Sequence, residues 1–258
     1  MRIFRFRARG EIFYGALEGK ILRELRGNIF EGPEEGQRTF SLAEVEVLPP
    51  VEPSKIICLA YNFPSLAKER GIKLPQEPVF FFKPPSSLTG HLKPVLFPPE
   101  AEALIFQGEL AMVVGKRARK VKAEEAEKFI FGFTAVNDIT AVFPGLHPRS
   151  ARAKAYDTFT PAGPCLLRTW GEKNFKLKTF VNAKLRQAAS TSRMRFTPSA
   201  VLWYLSRVMT LEPGDLVCLG TPEGAGKTKP GDRVDVQIEG IGTLSNLIIK
   251  EGTHEDIP

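Results

Sequence analysis

Residues 104–115, LIFQGELAMVVG, predict a long strand of the protein core that nevertheless carries two polar side chains. Gln107 and Glu109 lie two positions apart, and alternate residues of a strand project from the same face of its sheet. Burying an unpaired carboxylate costs several kcal/mol, so Glu109 needs a proton, a hydrogen-bond donor or a bound cation. The alternative is an ordinary strand that exposes Glu109 to solvent.

A second acid lies in a similar apolar stretch, residues 131–142, FGFTAVNDITAV, which also predicts a strand. An exposed or turn-capping aspartate at Asp138 would fit the same pattern. If the two acids converge, they suit a hard cation, because Mg²⁺ and Mn²⁺ take carboxylate and amide oxygens together with water and substrate oxygens. Glu109, Asp138 and the amide oxygen of Gln107 are therefore candidate metal ligands, and the spacing leaves open whether they meet.

The remaining sequence is organised as a small β-rich N-terminal module, residues 1–52, and a larger domain, residues 53–258. Pro49, Pro50 and Pro53 mark the break between them. Strands outnumber helices without regular βαβ alternation, which favours an α+β fold that is mainly β. In the larger domain, further strands are predicted at residues 55–60, 79–83, 165–168, 179–185, 216–220, 233–238 and 243–249, and helices at residues 64–71 (capped by Ser65), 123–129 and 198–209.

Charge and composition exclude several classes of protein. Of the 258 residues, 43% are hydrophobic and 25% charged, which is typical of globular proteins and excludes disorder as the main state. The net charge of +7 is dispersed along the chain and forms no recognisable nucleic-acid module. No apolar run is long enough for a membrane span or a signal peptide. We therefore expect a cytoplasmic protein that binds neither nucleic acid nor membranes, and a small anionic substrate is compatible with the charge.

Other familiar motifs are only superficially present. Residues 220–228, GTPEGAGKT, end in Gly-Lys-Thr, but Thr221 stands where a phosphate-binding loop needs glycine, and Pro230 prevents the helix that must follow. The cysteines have no CxxC spacing and are expected to be buried free thiols: Cys58, Cys165 and Cys218. The histidines have no metal-binding spacing and are expected at the surface: His91, His147 and His254.

Eight segments from residue 55 onward together resemble the fumarylacetoacetate hydrolase superfamily. The resemblance is particularly to the 2-hydroxyhepta-2,4-diene-1,7-dioate isomerases and 5-oxopent-3-ene-1,2,5-tricarboxylate decarboxylases of homoprotocatechuate degradation, and the module beginning MRIFRF also fits that group. The segments are KIICLAYNF from Lys55, FFFKPPSSLTG from Phe80, FQGELAMVVGKRARKV from Phe106, AVNDITA from Ala135, KAYDTFTPAGP from Lys154, TSRMRF from Thr191, MTLEPGDLVCLGTPEGAG from Met209 and KPGDRVDVQIEGIGTLSN from Lys229.

The resemblance implies a mixed β-sandwich roll, a homodimer, and a Mg²⁺ or Mn²⁺ ion held by a Glu-x-Glu pair and a later Asp. The matching positions in this chain are Gln107, Glu109 and Asp138. The implied substrate is a small anionic 2-keto or enol acid that chelates the metal, so that the cation stabilises an enolate.

Three further positions match substrate-contacting residues of the family. Lys154 matches the active-site lysine, which would contact the charge of the substrate. Thr221 matches the threonine of a Gly-Thr-Pro turn that holds a substrate oxygen, and Lys83 matches a pocket lysine. Without the resemblance, these residues would be interpreted as surface lysines and an ordinary turn residue.

Four positions depart from the family pattern at the implied site. Hydrolytic members carry His and Glu three apart on a short helix, a pair that activates water, whereas this chain has Leu66 and Glu69. Because leucine cannot move a proton, Glu69 remains as the candidate proton shuttle. Gln107 removes one negative charge from the metal site, although an amide oxygen can still coordinate. Val142 and Phe143 stand where the family usually has Arg-Asp.

These departures favour a metal-dependent isomerase or decarboxylase of a 2-hydroxy-dienoic or 2-oxo dicarboxylic acid in aromatic-compound catabolism, with Glu69 and Lys154 as catalytic residues. Tautomerisation and decarboxylation need an electron sink more than activated water. One alternative is a catalytically degenerate paralogue that acts as a structural or regulatory partner. The other is an acylpyruvate-type hydrolase, which Leu66 disfavours. The basic loop at residues 145–155, with His147, Arg149 and Arg152, is a candidate lid or a plain surface loop.

Overall fold

Strands make up most of the regular structure in the computed structural model, which describes residues 1–146, 150–169 and 174–252. His147, Arg149 and His254 lie outside these residues. The strands are β1 Arg2–Ala8, β2 Glu11–Glu18, β3 Ile21–Arg26, β4 Glu34–Ser41, β5 Glu46–Val47, β6 Ile56–Ala60, β7 Val79–Lys83, β8 Leu88–Thr89, β9 Val95–Phe97, β10 Ala103–Phe106, β11 Gly108–Val114, β12 Ile130–Asn137, β13 Thr140–Val142, β14 Thr160–Leu167, β15 Lys176–Val181, β16 Lys184–Ser190, β17 Leu216–Cys218, β18 Gly226–Thr228, β19 Arg233–Ile238 and β20 Gly242–Lys250. The α-helices are α1 Pro64–Glu69, α2 Ala151–Lys154 and α3 Pro198–Val208, and 3₁₀ turns cover Leu42–Glu44, Pro85–Ser87, Ala123–Phe129 and Thr191–Arg193.

The largest sheet has twelve strands and mixes antiparallel and parallel neighbours. Its main path is β4-β3-β2-β1-β14-β12-β11-β17-β6-β7, with β5 beside β1 and β8 beside β14. The two smaller sheets are β13-β10-β18 and β16-β15-β19-β20-β9. The prediction of a mainly β fold is confirmed, and the sandwich roll stays a prediction.

The N-terminal strands continue the largest sheet of the chain. β1 pairs antiparallel with β14, so that Arg2 lies opposite Leu167 and Ile3 opposite Leu166. The buried Arg5 also donates to the side chain of Glu52. A single sheet therefore runs across the predicted boundary between residues 52 and 53, and that boundary stays a prediction.

Both faces of this sheet are covered by apolar side chains. In β11, Leu110 and Met112 pack into one hydrophobic cluster, while Ala111 and Val113 pack into another on the opposite face. All four side chains are fully buried. A polar side chain on such a strand cannot reach bulk solvent, so its partners must come from the protein or from a ligand.

Two predicted strands are each broken, and the breaks lie side by side. Residues 104–115 form β10 and β11, separated at Gln107, and residues 131–142 form β12 and β13, separated at Asp138 and Ile139. β11 pairs with β12 in the largest sheet, whereas β10 pairs with β13 in the three-stranded sheet. The Asp138 amide donates to the Gln107 carbonyl at 2.9 Å. The two segments therefore change sheets at the same level, which brings Gln107 and Asp138 together.

Other local predictions are corrected in part. α1 has Phe63 as its N-cap, so the predicted cap at Ser65 is wrong; Pro64, whose fixed φ suits the first turn, begins the helix. The helix predicted at residues 123–129 is a 3₁₀ helix, whereas α3 is confirmed. The single strand predicted at residues 179–185 is a hairpin of β15 and β16.

The prediction of buried, free cysteines is confirmed, whereas the prediction that His91 lies at the surface is only partly met. All three cysteines are buried and free. His91 is partly buried, and its Nδ1 accepts from the Ser245 amide at 3.1 Å. In the part of the chain that the structure describes, no helix has the length and apolar character that a membrane span requires. The homodimer stays a prediction.

Candidate active site

A cavity of about 220 Å³ opens beside the two strand breaks and collects most of the predicted site residues. Lys83 and Glu69 are the two predicted site residues that do not line it. Its polar lining is Gln107, Glu109, Asp138, Thr140, Lys154 and Thr221, and Tyr61 and Arg70 also line it. Its apolar lining is Leu59, Ala60, Leu66, Phe81, Ile105 and Ala225.

Glu109 is a buried carboxyl group whose surroundings disfavour its ionised form. Its side chain is 1% exposed, and its Oε2 accepts from the Gly220 amide at 2.9 Å. Burial, followed by repulsion from Asp138, raises the pKa of Glu109 to about 8, although Lys154 opposes the shift. Gly220 has φ +93°, and a Cβ there would lie 3.1 Å from Cβ of Asn62, so this turn requires glycine.

Asp138 is held between two buried lysines. Nζ of Lys83 lies 2.6 Å from Asp138 Oδ1, and Nζ of Lys154 lies 2.5 Å from Oδ2. Burial alone would raise the pKa of Asp138, but Lys154 and Lys83 outweigh it and lower that pKa below its usual value. Lys83 also donates to the carbonyls of Ile139 and Phe159, at 3.2 and 2.6 Å, so all three of its donors are used. Lys83 therefore holds Asp138 in this structure, and its contact with substrate stays a prediction.

Lys154 differs from Lys83 because it faces the cavity. It is the last residue of α2, whose N-cap Ser150 accepts from the Ala153 amide at 3.3 Å. Its Nζ lies 4.7 Å from the centroid of the Phe81 ring, which is a cation–π contact. Its side chain is 6% exposed, so its charge is largely shielded from water and can act strongly on a bound anion.

The amide of Gln107 has a fixed orientation. Nε2 donates to the Asp138 carbonyl at 2.8 Å and to Thr140 Oγ1 at 2.7 Å. A carbonyl oxygen can only accept, so the nitrogen must face Asp138. Both amide hydrogens are thereby used, and Oε1 remains as the atom of this amide that can meet a ligand.

The donor set fits a hard divalent cation. Glu109, Asp138 and Gln107 supply three oxygens to one cavity, and a carboxylate oxygen that already accepts from a lysine keeps further lone pairs. Among the residues that the structure describes, no three or more His, Cys, Asp or Glu side chains form a metal-binding group. Gln107 supplies an amide oxygen where the implied Glu-x-Glu pair has its first carboxylate. The three residues therefore carry one negative charge fewer than a Glu-x-Glu and Asp set.

Thr221 is buried in a turn that Gln187 supports. Its Oγ1 donates to the Gly108 carbonyl at 2.9 Å and accepts from Gln187 Nε2 at 2.8 Å. Oε1 of Gln187 accepts from the Gly108 amide at 3.0 Å. The single hydroxyl proton of Thr221 is thus used by the Gly108 carbonyl in this structure, and its contact with a substrate oxygen stays a prediction. Gln187 was not predicted from the sequence, because a single glutamine in a strand does not indicate a functional site.

The helix α1 presents an apolar side chain to the cavity. Leu66 is 7% exposed and lines it. Glu69 is 39% exposed and its Oε2 accepts from the Gly224 amide at 2.9 Å, so it fastens α1 to the loop after β17. Arg70 follows Leu66 by four residues, on the same side of the helix, and also lines the cavity. Arg70 was not among the residues predicted from the sequence, although its spacing from Leu66 is a signal that could have identified it.

Phe143, one of the two residues that stand where the family usually has Arg-Asp, belongs to an aromatic cluster. Phe143 is buried, and its ring stacks on Tyr156 with 6.0 Å between the centroids. The guanidinium of Arg152 lies 4.6 Å above the Phe143 ring. The described part of the candidate lid thus packs on an apolar surface at Phe143.

Two known protein families match the chain in adjacent parts. Residues 55–249 match the family described as fumarylacetoacetate (FAA) hydrolase C-terminal, and residues 1–50 match the family described as Rv2993c-like, N-terminal. Because the first match covers most of the chain, the protein belongs to the fumarylacetoacetate hydrolase family. The family predicted from the sequence is confirmed.

Relatives and solved structures resemble the chain over nearly its whole length. It is 40% identical to oxaloacetate tautomerase YisK of Bacillus subtilis, over 83% of this chain and 77% of that protein. It is 34% identical to the 4-hydroxyphenylacetate degradation bifunctional isomerase/decarboxylase of Salmonella dublin, over 86% of this chain and 53% of that protein. The structure of 2-hydroxyhepta-2,4-diene-1,7-dioate isomerase from Mycobacterium marinum is 34% identical, with a TM-score of 0.88 over 98% of this chain and 100% of that one.

A hydrolase structure is also similar. Maleylpyruvate hydrolase from Sphingobium sp. SYK-6, in complex with manganese(II) and pyruvate, is 27% identical, with a TM-score of 0.80 over 97% of this chain and 99% of that one. Three relatives that are 34–40% identical are named as a tautomerase, an isomerase/decarboxylase and an isomerase. The chain is an enzyme of the isomerase or lyase kind within its family, as the sequence predicted.

Proposed function

We propose that the protein is a divalent-metal-dependent isomerase or decarboxylase that acts on a 2-oxo or 2-hydroxy-dienoic acid. The observation that carries the proposal is the shared cavity, which is lined by two buried carboxylates, an oriented amide, Lys154 and the apolar Leu66. The names of the relatives support this reaction class.

Gln107, Glu109 and Asp138 would hold the metal, for which Mg²⁺ and Mn²⁺ are the candidates. Manganese in the structure of the similar maleylpyruvate hydrolase supports this assignment. When bound, such a cation would polarise the keto oxygen of the substrate and supply an electron sink.

The protein's own side chains would then bind the acid and move the proton. Lys154 faces the cavity, where it would pair with the substrate's anionic charge and carry a proton to or from the carbon beside the keto group. Leu66, Phe81 and Ile105 keep that face of the cavity apolar, which disfavours an attacking water. A proton-shuttle role for Glu69 would require its release from the Gly224 amide, so this role stays a prediction.

The proposal is tested by metal binding and by turnover. Calorimetry with Mg²⁺ or Mn²⁺ is expected to detect binding that oxalate, a mimic of a chelating enolate, makes tighter. With oxaloacetate, keto–enol exchange is followed by ultraviolet absorbance and decarboxylation by pyruvate release. Lys154→Met is expected to lower the rate by about 100-fold or more, whereas the exposed Lys178→Met keeps the wild-type rate.

Three outcomes would contradict the proposal, and two of them would favour the alternative functions. Absence of metal binding at millimolar concentration, with or without oxalate, would favour a degenerate paralogue that serves as a partner protein. Hydrolysis of an acylpyruvate faster than either oxaloacetate reaction would favour the hydrolase. Equal rates for the two lysine variants would remove Lys154 from the mechanism.

A further inference from the structure

The cavity has two cationic side chains in its described lining, and they differ in what they already bind. Lys154 is paired with Asp138 at the polar end. Arg70 lies at the end of α1, with its side chain 47% exposed. The lining also includes the apolar Leu66, Phe81 and Ile105, and the exposed fractions of 6% and 47% place Lys154 deep in the cavity and Arg70 toward solvent. A ligand that fills the cavity therefore meets a polar end, an apolar stretch and a second cation.

The guanidinium of Arg70 has most of its hydrogen-bonding capacity free. Among the described residues, its one carboxylate neighbour is Glu69, whose Oε1 lies 3.6 Å from Nε, beyond a normal hydrogen bond. The other oxygen of Glu69 is taken by the Gly224 amide. A guanidinium offers a planar fork of donors that matches a carboxylate in a bidentate contact.

The backbone that carries Arg70 is firmly held. The Arg70 amide donates to the Leu66 carbonyl at 3.0 Å, which closes the helix. Just before α1, Asn62 donates to the carbonyls of Leu219 and Phe196 at 2.8 and 3.1 Å and accepts from the Phe196 amide at 2.9 Å. A cation on an anchored helix loses less freedom when it pairs with a ligand, so its contact can be selective.

The charge at the polar end also favours an anion of more than one charge. With Glu109 and Asp138 both ionised, their two charges equal those of Lys83 and Lys154, so a bound divalent cation would leave two positive charges uncompensated. Arg70 adds a third. A 2-oxo acid with one carboxylate supplies one negative charge, or two as its enolate, whereas a dicarboxylate supplies two, or three as its enolate.

We propose that Arg70 binds a second, distal carboxylate of the substrate and thereby makes the enzyme selective for dicarboxylic 2-oxo acids. The inference rests on the proposed function, because it assumes that the chelating end of the acid lies at Gln107, Glu109 and Asp138. Arg70 is then the specificity-determining residue at the far end of the same ligand.

The test compares ligands that differ only in the distal carboxylate. Calorimetry with Mn²⁺-saturated protein measures Kd for 2-oxoglutarate against 2-oxopentanoate, and for 2-oxoadipate against 2-oxohexanoate. The wild type is expected to bind the dicarboxylate about 10- to 100-fold more tightly at one or both chain lengths. Arg70→Gln is expected to abolish this preference while leaving Kd for the monocarboxylates and for oxalate unchanged.

Lys68→Gln is the matched control, since Lys68 is exposed on the same helix, outside the cavity lining, and its loss changes the net charge equally. It should keep the wild-type preference. Intact oxalate binding with no preference for dicarboxylates at either length, or an equal preference in Arg70→Gln, would overturn this inference alone. Absence of oxalate binding in the wild type would overturn the proposed function and this inference with it.

Discussion

At the scale of single residues, Gln107 is the one uncharged side chain of the proposed ligand set. Its amide is oriented by the Asp138 carbonyl and Thr140, so it offers an oxygen without a negative charge. When Glu109 and Asp138 are both ionised, their negative charges equal the positive charges of Lys83 and Lys154. Metal and a dianionic chelator should therefore bind together more readily than the metal alone, since each compensates the charge that the other brings.

Gln107→Glu is expected to raise the affinity for Mn²⁺ without chelator by about 10-fold or more, because it restores a carboxylate beside Glu109 and Asp138. The enhancement by oxalate should shrink in the same variant. Calorimetric titration with Mn²⁺, with and without oxalate, measures both effects. Gln237→Glu, the same change at an exposed position of β19, should behave as wild type. An unchanged Mn²⁺ affinity in Gln107→Glu would remove Gln107 from the ligand set.

At the scale of elements, the sequence predicted which residues form the site better than it predicted how strands bring them together. Gln107, Glu109 and Asp138 were identified as polar residues within apolar runs, and they line one cavity. The breaks between β10 and β11 and between β12 and β13 could not be predicted, because the apolar pattern is the same on both sides of each break. Pairing with distant strands determines where the chain changes sheets. Arg70 was missed because α1 has only six residues, which is too short for the four-residue spacing between Leu66 and Arg70 to stand out as a periodic pattern.

A pair of neighbouring strands gives a pH-dependent prediction. Glu24 on β3 is 3% exposed, and its Oε1 accepts from Arg38 Nη2 on β4 at 2.6 Å. This hydrogen bond lowers the pKa of Glu24, although burial opposes it. A carboxyl whose folded pKa is depressed contributes stability above its unfolded pKa, near 4.5, and loses that contribution as the pH falls through the folded pKa.

Glu24→Gln is therefore expected to reduce the free energy of unfolding by about 1–2 kcal/mol at pH 7, and by progressively less as the pH falls below about 4.5. Urea unfolding at a series of pH values measures the difference from wild type. Glu35→Gln, an exposed change on β4, is the control and should leave the unfolding curves unchanged. A destabilisation by Glu24→Gln that is the same at every pH would show that the carboxylate charge is not its cause.

At the scale of the whole molecule, the N-terminal module and the site share one sheet. β1 pairs with β14, β14 with β12, and β12 with β11, which carries Glu109. Ile3 on β1 is fully buried in the same hydrophobic cluster as Ala111 and Val113 of β11. A packed sheet of this kind transmits the loss of one strand to its neighbours, because no layer of solvent separates the two parts.

The protein is therefore expected to unfold in a single cooperative transition, despite the two sequence families that it contains. Ile3→Ala should cost about 2–5 kcal/mol and lower the Tm of the whole molecule without splitting the transition. Ile12→Ala, the same truncation at a position of β2 that is 48% exposed, should change the Tm much less. Scanning calorimetry detects the number of transitions, and hydrogen exchange shows whether β1 and β14 lose protection together. Two calorimetric transitions, or exchange of β1 while β14 stays protected, would show that the module folds as an independent unit.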